Sequence, residues 1–121
     1  MSFYREKTVR FVRFAFSIST LFLHQITLAD IQNDCFKSAN LAFGSDASTA
    51  AEVCEGAETL FPALCFRNAV NMKGISPKTA AELCKNAVNM VPSDCFRTAT
   101  ALNGLSEENA IKLCKVRPPG N

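Results

Sequence analysis

The sequence predicts an all-α fold of three tandem 30-residue αα-hairpin repeats, six helices in all, each hairpin stapled by one disulfide. Three observations lead there. Cys35, Cys54, Cys65, Cys84, Cys95 and Cys114 are separated by 19, 11, 19, 11 and 19 residues, so one unit is written three times. A fixed period of this size marks stacked copies of one supersecondary element. In every copy a glycine (Gly44, Gly74, Gly104) is followed two residues later by a good helix N-cap (Asp46, Ser76, Ser106). The apolar positions after that cap recur at helical rather than strand spacing.

The fold is expected to begin only at residue 30. Arg5, Lys7, Arg10 and Arg13 supply a positive start, Phe14 to Leu23 an apolar stretch, and Thr27-Leu28-Ala29 small residues at the positions a signal peptidase reads. That order is a secretory signal over residues 1–29. The apolar stretch is shorter than the ~20 residues of a membrane span, so no stable span is expected after cleavage. Removing Arg5, Lys7, Arg10, Arg13 and Glu6 leaves nine basic against ten acidic residues, turning the formal +2 of the whole chain into −1. The basicity belongs to the leader, and nothing in the remaining charge points to nucleic acid. An even cysteine count behind a signal reads as a disulfide framework in an oxidising compartment, secreted or periplasmic.

The repeats run over residues 35–64, 65–94 and 95–116 without gaps, inside one domain spanning 30–116, and residues 117–121 are expected to be a disordered tail. In each copy the glycine ends one helix and the capping residue starts the next, with a connection of two or three residues forcing an antiparallel pair. Pro77 suits the first helical position, and Glu107 and Glu108 suit the positive end of a helix dipole. Ala80, Leu83, Cys84, Ala87, Val88 and Val91 extend the second helix of copy two. The first helix is the shorter: Cys65, Phe66, Ala69, Val70 and Met72. Pro62 and Pro92 are expected between copies as breaks, with Asp34 and Asp94, or Asn33 and Ser93, capping the incoming helix.

Helix geometry selects among the fifteen possible disulfide connectivities. Cys65 and Cys84 lie at matching heights, ~12–14 Å from the turn at Gly74. One turn nearer the loop, Ala69 faces Ala80. A disulfide needs Cα atoms about 5.5–6 Å apart, closer than large side chains allow, and opposed alanines permit it. Cys35–Cys54 with Ala39 and Ala50, and Cys95–Cys114 with Ala99 and Ala110, repeat the arrangement. The rival pairing, Cys54–Cys65 and Cys84–Cys95, leaves the alanines without a reason. A zinc site is not expected, because its ligands cluster at short spacing and the only histidine, His24, lies in the leader.

Arg67 is level with Glu82, and Lys37 with Glu52, so surface ion pairs are expected there. The first copy is acidic and the end of the third is basic, through Lys112, Lys115 and Arg117. Phe36, Phe66 and Phe96 follow the first cysteine of each copy and are expected to pack one copy against the next.

No nucleophile and base set is recognisable, so neither an enzyme nor a cofactor is expected. The expected function is a secreted, non-enzymatic protein-interaction module with a protein partner, in a short solenoid or a compact helical cluster. The arrangement resembles Sel1-like and tetratricopeptide arrays in architecture alone, since their repeats are longer and their signature residues are missing here. The alternative is a small extracytoplasmic carrier of an apolar ligand, a lipid or sterol-like molecule, held near Met72, Met90, Phe43, Phe61, Val88 and Val91.

Overall fold

A computed structural model describes residues 26–72 and 74–117. Most of the expected leader, residues 1–25, and residues 118–121 of the expected tail lie outside the described residues. Among the described residues the chain forms six helices and no strand: α1 Leu28–Asn40, α2 Ala47–Cys54, α3 Phe61–Val70, α4 Pro77–Cys84, α5 Val91–Ala101 and α6 Glu107–Cys114.

The helices pair as α1 with α2, α3 with α4, and α5 with α6. The hairpins then stack: α1, α3 and α5 form one row, α2, α4 and α6 a second, and α2 and α4 also touch the first helix of the following copy. No helix of the first hairpin contacts the third. The helices of each hairpin therefore meet only those of its neighbours, which is the packing logic of a repeat array.

Within each hairpin the disulfide joins the expected cysteines. The Cα atoms are 5.7 Å apart for Cys35–Cys54, 5.5 Å for Cys65–Cys84 and 5.5 Å for Cys95–Cys114. The six alanines one turn away (Ala39, Ala50, Ala69, Ala80, Ala99 and Ala110) are all buried. Close helix approach and small residues therefore occur together in all three copies. Each bridge closes a loop of about 20 residues, worth roughly 3 kcal/mol by restricting the unfolded chain.

The second helices start as expected. Asp46 Oδ1 accepts the Thr49 N–H at 2.7 Å, Ser76 Oγ that of Thr79 at 3.2 Å, and Ser106 Oγ that of Asn109 at 3.3 Å. Gly44, Gly74 and Gly104 all have positive φ, at 74°, 83° and 66°. In copy three the turn is closed by Leu105 N–H donating to Ala99 O at 3.0 Å.

Several boundaries differ from the sequence expectation. The connection inside a hairpin is five or six residues, not two or three, because the first helix ends before its glycine: α1 stops at Asn40 and α3 at Val70. The first helices are the longer of each pair, at 13, 10 and 11 residues against eight for each partner. Pro62 and Pro92 do not separate the copies. They sit in the first turn of α3 and α5, buried, where a missing N–H costs nothing. The cap residues Leu60 and Met90 offer no side-chain bond; instead the Phe61 N–H donates to Thr59 Oγ1 at 3.3 Å and the Val91 N–H to Asn89 Oδ1 at 2.9 Å.

Asp34 and Asp94 instead pair with Lys37 and Arg97 on their own helices. Ser93 is fully buried; its hydroxyl donates to Met90 O and accepts from Asn68 Nδ2, both at 3.0 Å. Helix α1 starts earlier than the capping aspartate had suggested. Thr27 and Asp30 form a reciprocal capping box, so the Ala29–Asp30 bond expected to be cut lies in the exposed first turn of α1.

The second helix of copy two ends at Cys84, so Ala87, Val88 and Val91 do not continue it. The reason lies in the next two residues. Lys85 has φ −54° and ψ 131°, Asn86 has φ 65°, and Ala87 N–H donates to Cys84 O at 3.0 Å. That is a type II turn, which requires a positive φ at its third residue. Glu55, Gly56 (φ 70°) and Ala57 repeat it after Cys54. The turn throws the chain straight into the next hairpin and leaves Ala57 and Ala87 buried under it.

Candidate interaction face at the end of the stack

Comparing burial at equivalent positions, thirty residues apart, gives each copy two faces. One set is covered in copies two and three but open in copy one. It comprises Gln32/Pro62/Pro92, Asn33/Ala63/Ser93, Phe36/Phe66/Phe96 and Ala51/Ala81/Ile111. These side chains face the preceding copy. Phe66 is wholly buried and Phe96 nearly so, as expected for residues packing one copy on another, while Phe36 is half-buried.

The second set is covered in copies one and two but open in copy three. Val53 and Leu83 are 0% exposed, whereas Leu113 at the same position is 64% exposed. Ala42, Met72 and Leu102 pass from buried through half-buried to 80% exposed. Cys35 and Cys65 are buried and Cys95 is partly open; Ala57 and Ala87 are buried and Arg117 is exposed. These side chains face the following copy. In copy three nothing among the described residues follows, so the face meant for a neighbour stays bare.

Direct contacts agree with this direction. Asn68 of copy two reaches Ser93 of copy three. Gly44 of copy one lies so near copy two that a Cβ there would stand 3.3 Å from Pro77 Cγ.

The bare face is an open depression of about 330 Å³ lined by Val91, Asp94, Cys95, Thr98, Ala99, Asn103 and Leu113. Its floor is the third disulfide and its buried alanine, and its rim is polar. An apolar centre with a polar rim is the usual build of an interface.

Among the described residues two ion pairs run between copies, three lie within one helix, and none joins the two helices of a hairpin. The expected Arg67–Glu82 and Lys37–Glu52 pairs do not form. Glu82 Oε1 accepts from Lys115 Nζ of the next copy at 3.2 Å, and Glu55 Oε2 from Lys85 Nζ at 3.1 Å. The glutamates reach along the stack rather than across the hairpin. At its end, Lys112 Nζ donates to Glu108 Oε1 at 2.8 Å, one turn back on α6. That hydrogen bond, and then the lysine charge, hold the Glu108 carboxyl below the ordinary glutamate range and raise Lys112.

The side chains expected to line an apolar cavity are dispersed. Phe43 is 84% exposed, and Met72 and Met90 are half-buried against the core. Val88 belongs to a depression of about 410 Å³ beside Ala57, Pro62, Ala87 and Val116, and Val91 to the end face. Among the described residues no three His, Cys, Asp or Glu side chains are placed to hold a metal ion, and no helix is long and apolar enough to cross a membrane.

The sequence expectation missed the end face. The signal was present: Leu113 keeps a large apolar residue at a position that Val53 and Leu83 use for packing on the next copy. No family model, no curated protein and no solved structure matches the chain.

Proposed function

We propose that this chain is a secreted, non-enzymatic helical-repeat module that binds other polypeptides through the open end of its stack. The observation that carries the reading is Leu113, left 64% exposed at a position wholly buried in both earlier copies. Three disulfides suit an oxidising, extracytoplasmic compartment, which fits a leader over residues 1–29 that export removes. Stapled hairpins give such a module rigidity without a large core.

The test compares the exported chain with its Leu113→Asp variant as bait in the extracytoplasmic fraction. Polypeptides retained by the first and lost by the second are expected. Identical retention by both, or none by either, with no self-association, would remove the reading.

A second reading, carriage of a lipid or sterol-like molecule, draws on the depression beside Val88, whose lining includes Ala57, Pro62, Ala87 and Val116. Saturable uptake of a fluorescent fatty acid or sterol, abolished by Val88→Glu, would favour it over the interaction module.

A further inference from the structure

We infer that the occupant of the open end is a second copy of this chain, seated head to tail so that its first hairpin continues the stack. The inference rests on the reading above, in which export removes the residues preceding copy one.

The contacts between copies have counterparts across such a joint. Between copies two and three, Glu82 meets Lys115. One step on, Lys112 occupies the position of Glu82 and Glu55 of a second copy that of Lys115, so the pair recurs with its signs exchanged. Between copies one and two, Glu55 meets Lys85. One step on, at the joint of copies two and three, the same positions hold Lys85 and Lys115, two like charges; two steps on, Lys115 would meet the same Glu55, with the signs exchanged. Asn68 donates to Ser93 between copies two and three. One step on, Thr98 stands opposite Asn33, another pair able to hydrogen-bond.

The apolar parts correspond as well. Leu113 stands at the position of Leu83, and Phe36 and Ala51 at those of Phe96 and Ile111, all three of which are buried inside the stack. Leu113 and Ala51 are exposed within one molecule, and Phe36 is half-buried. The substitution of Pro and Ala or Ser by Gln32 and Asn33 makes this joint more polar than the internal ones, so it is reversible rather than permanent. A head-to-tail joint is heterologous, and repeating it gives an open array rather than a closed pair.

The test is sedimentation velocity of the exported chain over concentrations up to about 1 mM, with circular dichroism as the check on folding. The mass is expected to rise past two copies and to fall with added salt, which screens exposed charge pairs. Leu113→Asp and Ala51→Arg each alter an exposed residue on one face only, and each is expected to weaken assembly about tenfold or more. Lys112→Glu is expected to weaken it without touching the apolar contact. An equimolar mixture of Leu113→Asp and Ala51→Arg retains one good face of each kind and is expected to form a 1:1 pair that grows no further. A monomer at all concentrations overturns the inference. So does a dimer that persists in Ala51→Arg, which would join two C-terminal faces. If the chain is monomeric yet retains another protein in a Leu113-dependent way, this inference fails and the interaction module stands. If neither occurs, both fall.

Discussion

Gly56 and Asn86 occupy the same position thirty residues apart and adopt nearly the same backbone, with φ of 70° and 65°. Each is the third residue of the type II turn that follows a second helix, two residues past its last cysteine. The turn sets the distance from one hairpin to the next, so these two residues fix the period of the stack. A Cβ built on Gly56 meets nothing within 4 Å, so the cost of adding one is conformational alone. Gly56→Ala is therefore expected to lower stability by about 1–2 kcal/mol, the cost of a left-handed L-residue. Asn86→Gly is expected to gain less than about 1 kcal/mol, because glycine's greater freedom in the unfolded chain offsets part of the relief. Chemical denaturation of the two variants beside the parent measures both. Equal losses would show that the turn is not the constraint.

The buried alanines give a prediction of the opposite kind. Ala69 and Ala80 are both 0% exposed, one turn from a bridge whose Cα atoms lie 5.5 Å apart. Ala69→Leu adds volume where the helices must stay close, and is expected to cost about 1–3 kcal/mol. Ala51→Leu, on an exposed position of α2, is the control and is expected to leave the melting temperature of the monomer nearly unchanged. A melting temperature for Ala69→Leu equal to the parent's would mean that the helices can separate there without strain.

What the sequence made legible was mostly local or periodic. The caps at Asp46, Ser76 and Ser106 depend on their own three following residues. The disulfide partners follow from chain lengths on either side of one turn. What it hid depended on competition or on stacking. Ala87, Val88 and Val91 prolong a helical pattern that Asn86 ends by adopting a left-handed backbone, which asparagine tolerates without announcing. Pro62 and Pro92 read equally well as breaks between helices or as first-turn residues, and the neighbouring burial decides. Glu82 is level with Arg67 inside its hairpin but bonds to Lys115 across the stack, a relation along a third direction that pairing within one hairpin does not contain.

The middle bridge is expected to matter most. Copy two is packed between the other two, and no helix of the first hairpin contacts a helix of the third, so loosening it uncouples the ends. Replacing both Cys65 and Cys84 by serine is expected to cost about 3 kcal/mol and to broaden the unfolding transition. The same change at Cys95 and Cys114 is expected to fray one end while leaving the first two copies cooperative. Cys65→Ser alone is expected to do more harm to folding yield than the double variant, because it leaves Cys84 free to mispair. Non-reducing peptide maps and denaturation curves distinguish these cases; a map joining Cys54 to Cys65 would contradict the pairing itself.

Acid is expected to weaken the hairpins through their caps. The Thr49 N–H donates to the Asp46 carboxylate at 2.7 Å, and that backbone hydrogen bond is the main reason its pKa is lowered in the fold; a smaller contribution comes from the Thr49 side chain. Glu108 is lowered by its hydrogen bond from Lys112 and then by the lysine charge. A carboxyl whose pKa is lower folded than unfolded adds stability that is complete above the unfolded value, near 4. That contribution is lost as pH falls through the folded value. Melting temperature is therefore expected to hold steady near neutrality and to decline below about pH 4. Asp46→Asn keeps a hydrogen-bond acceptor at the cap but removes the titrating charge. It is expected to melt lower than the parent near pH 7 and to lose less on acidification, so that the two curves converge at low pH. Parallel curves across the whole range would show that the Asp46 cap does not contribute through its charge.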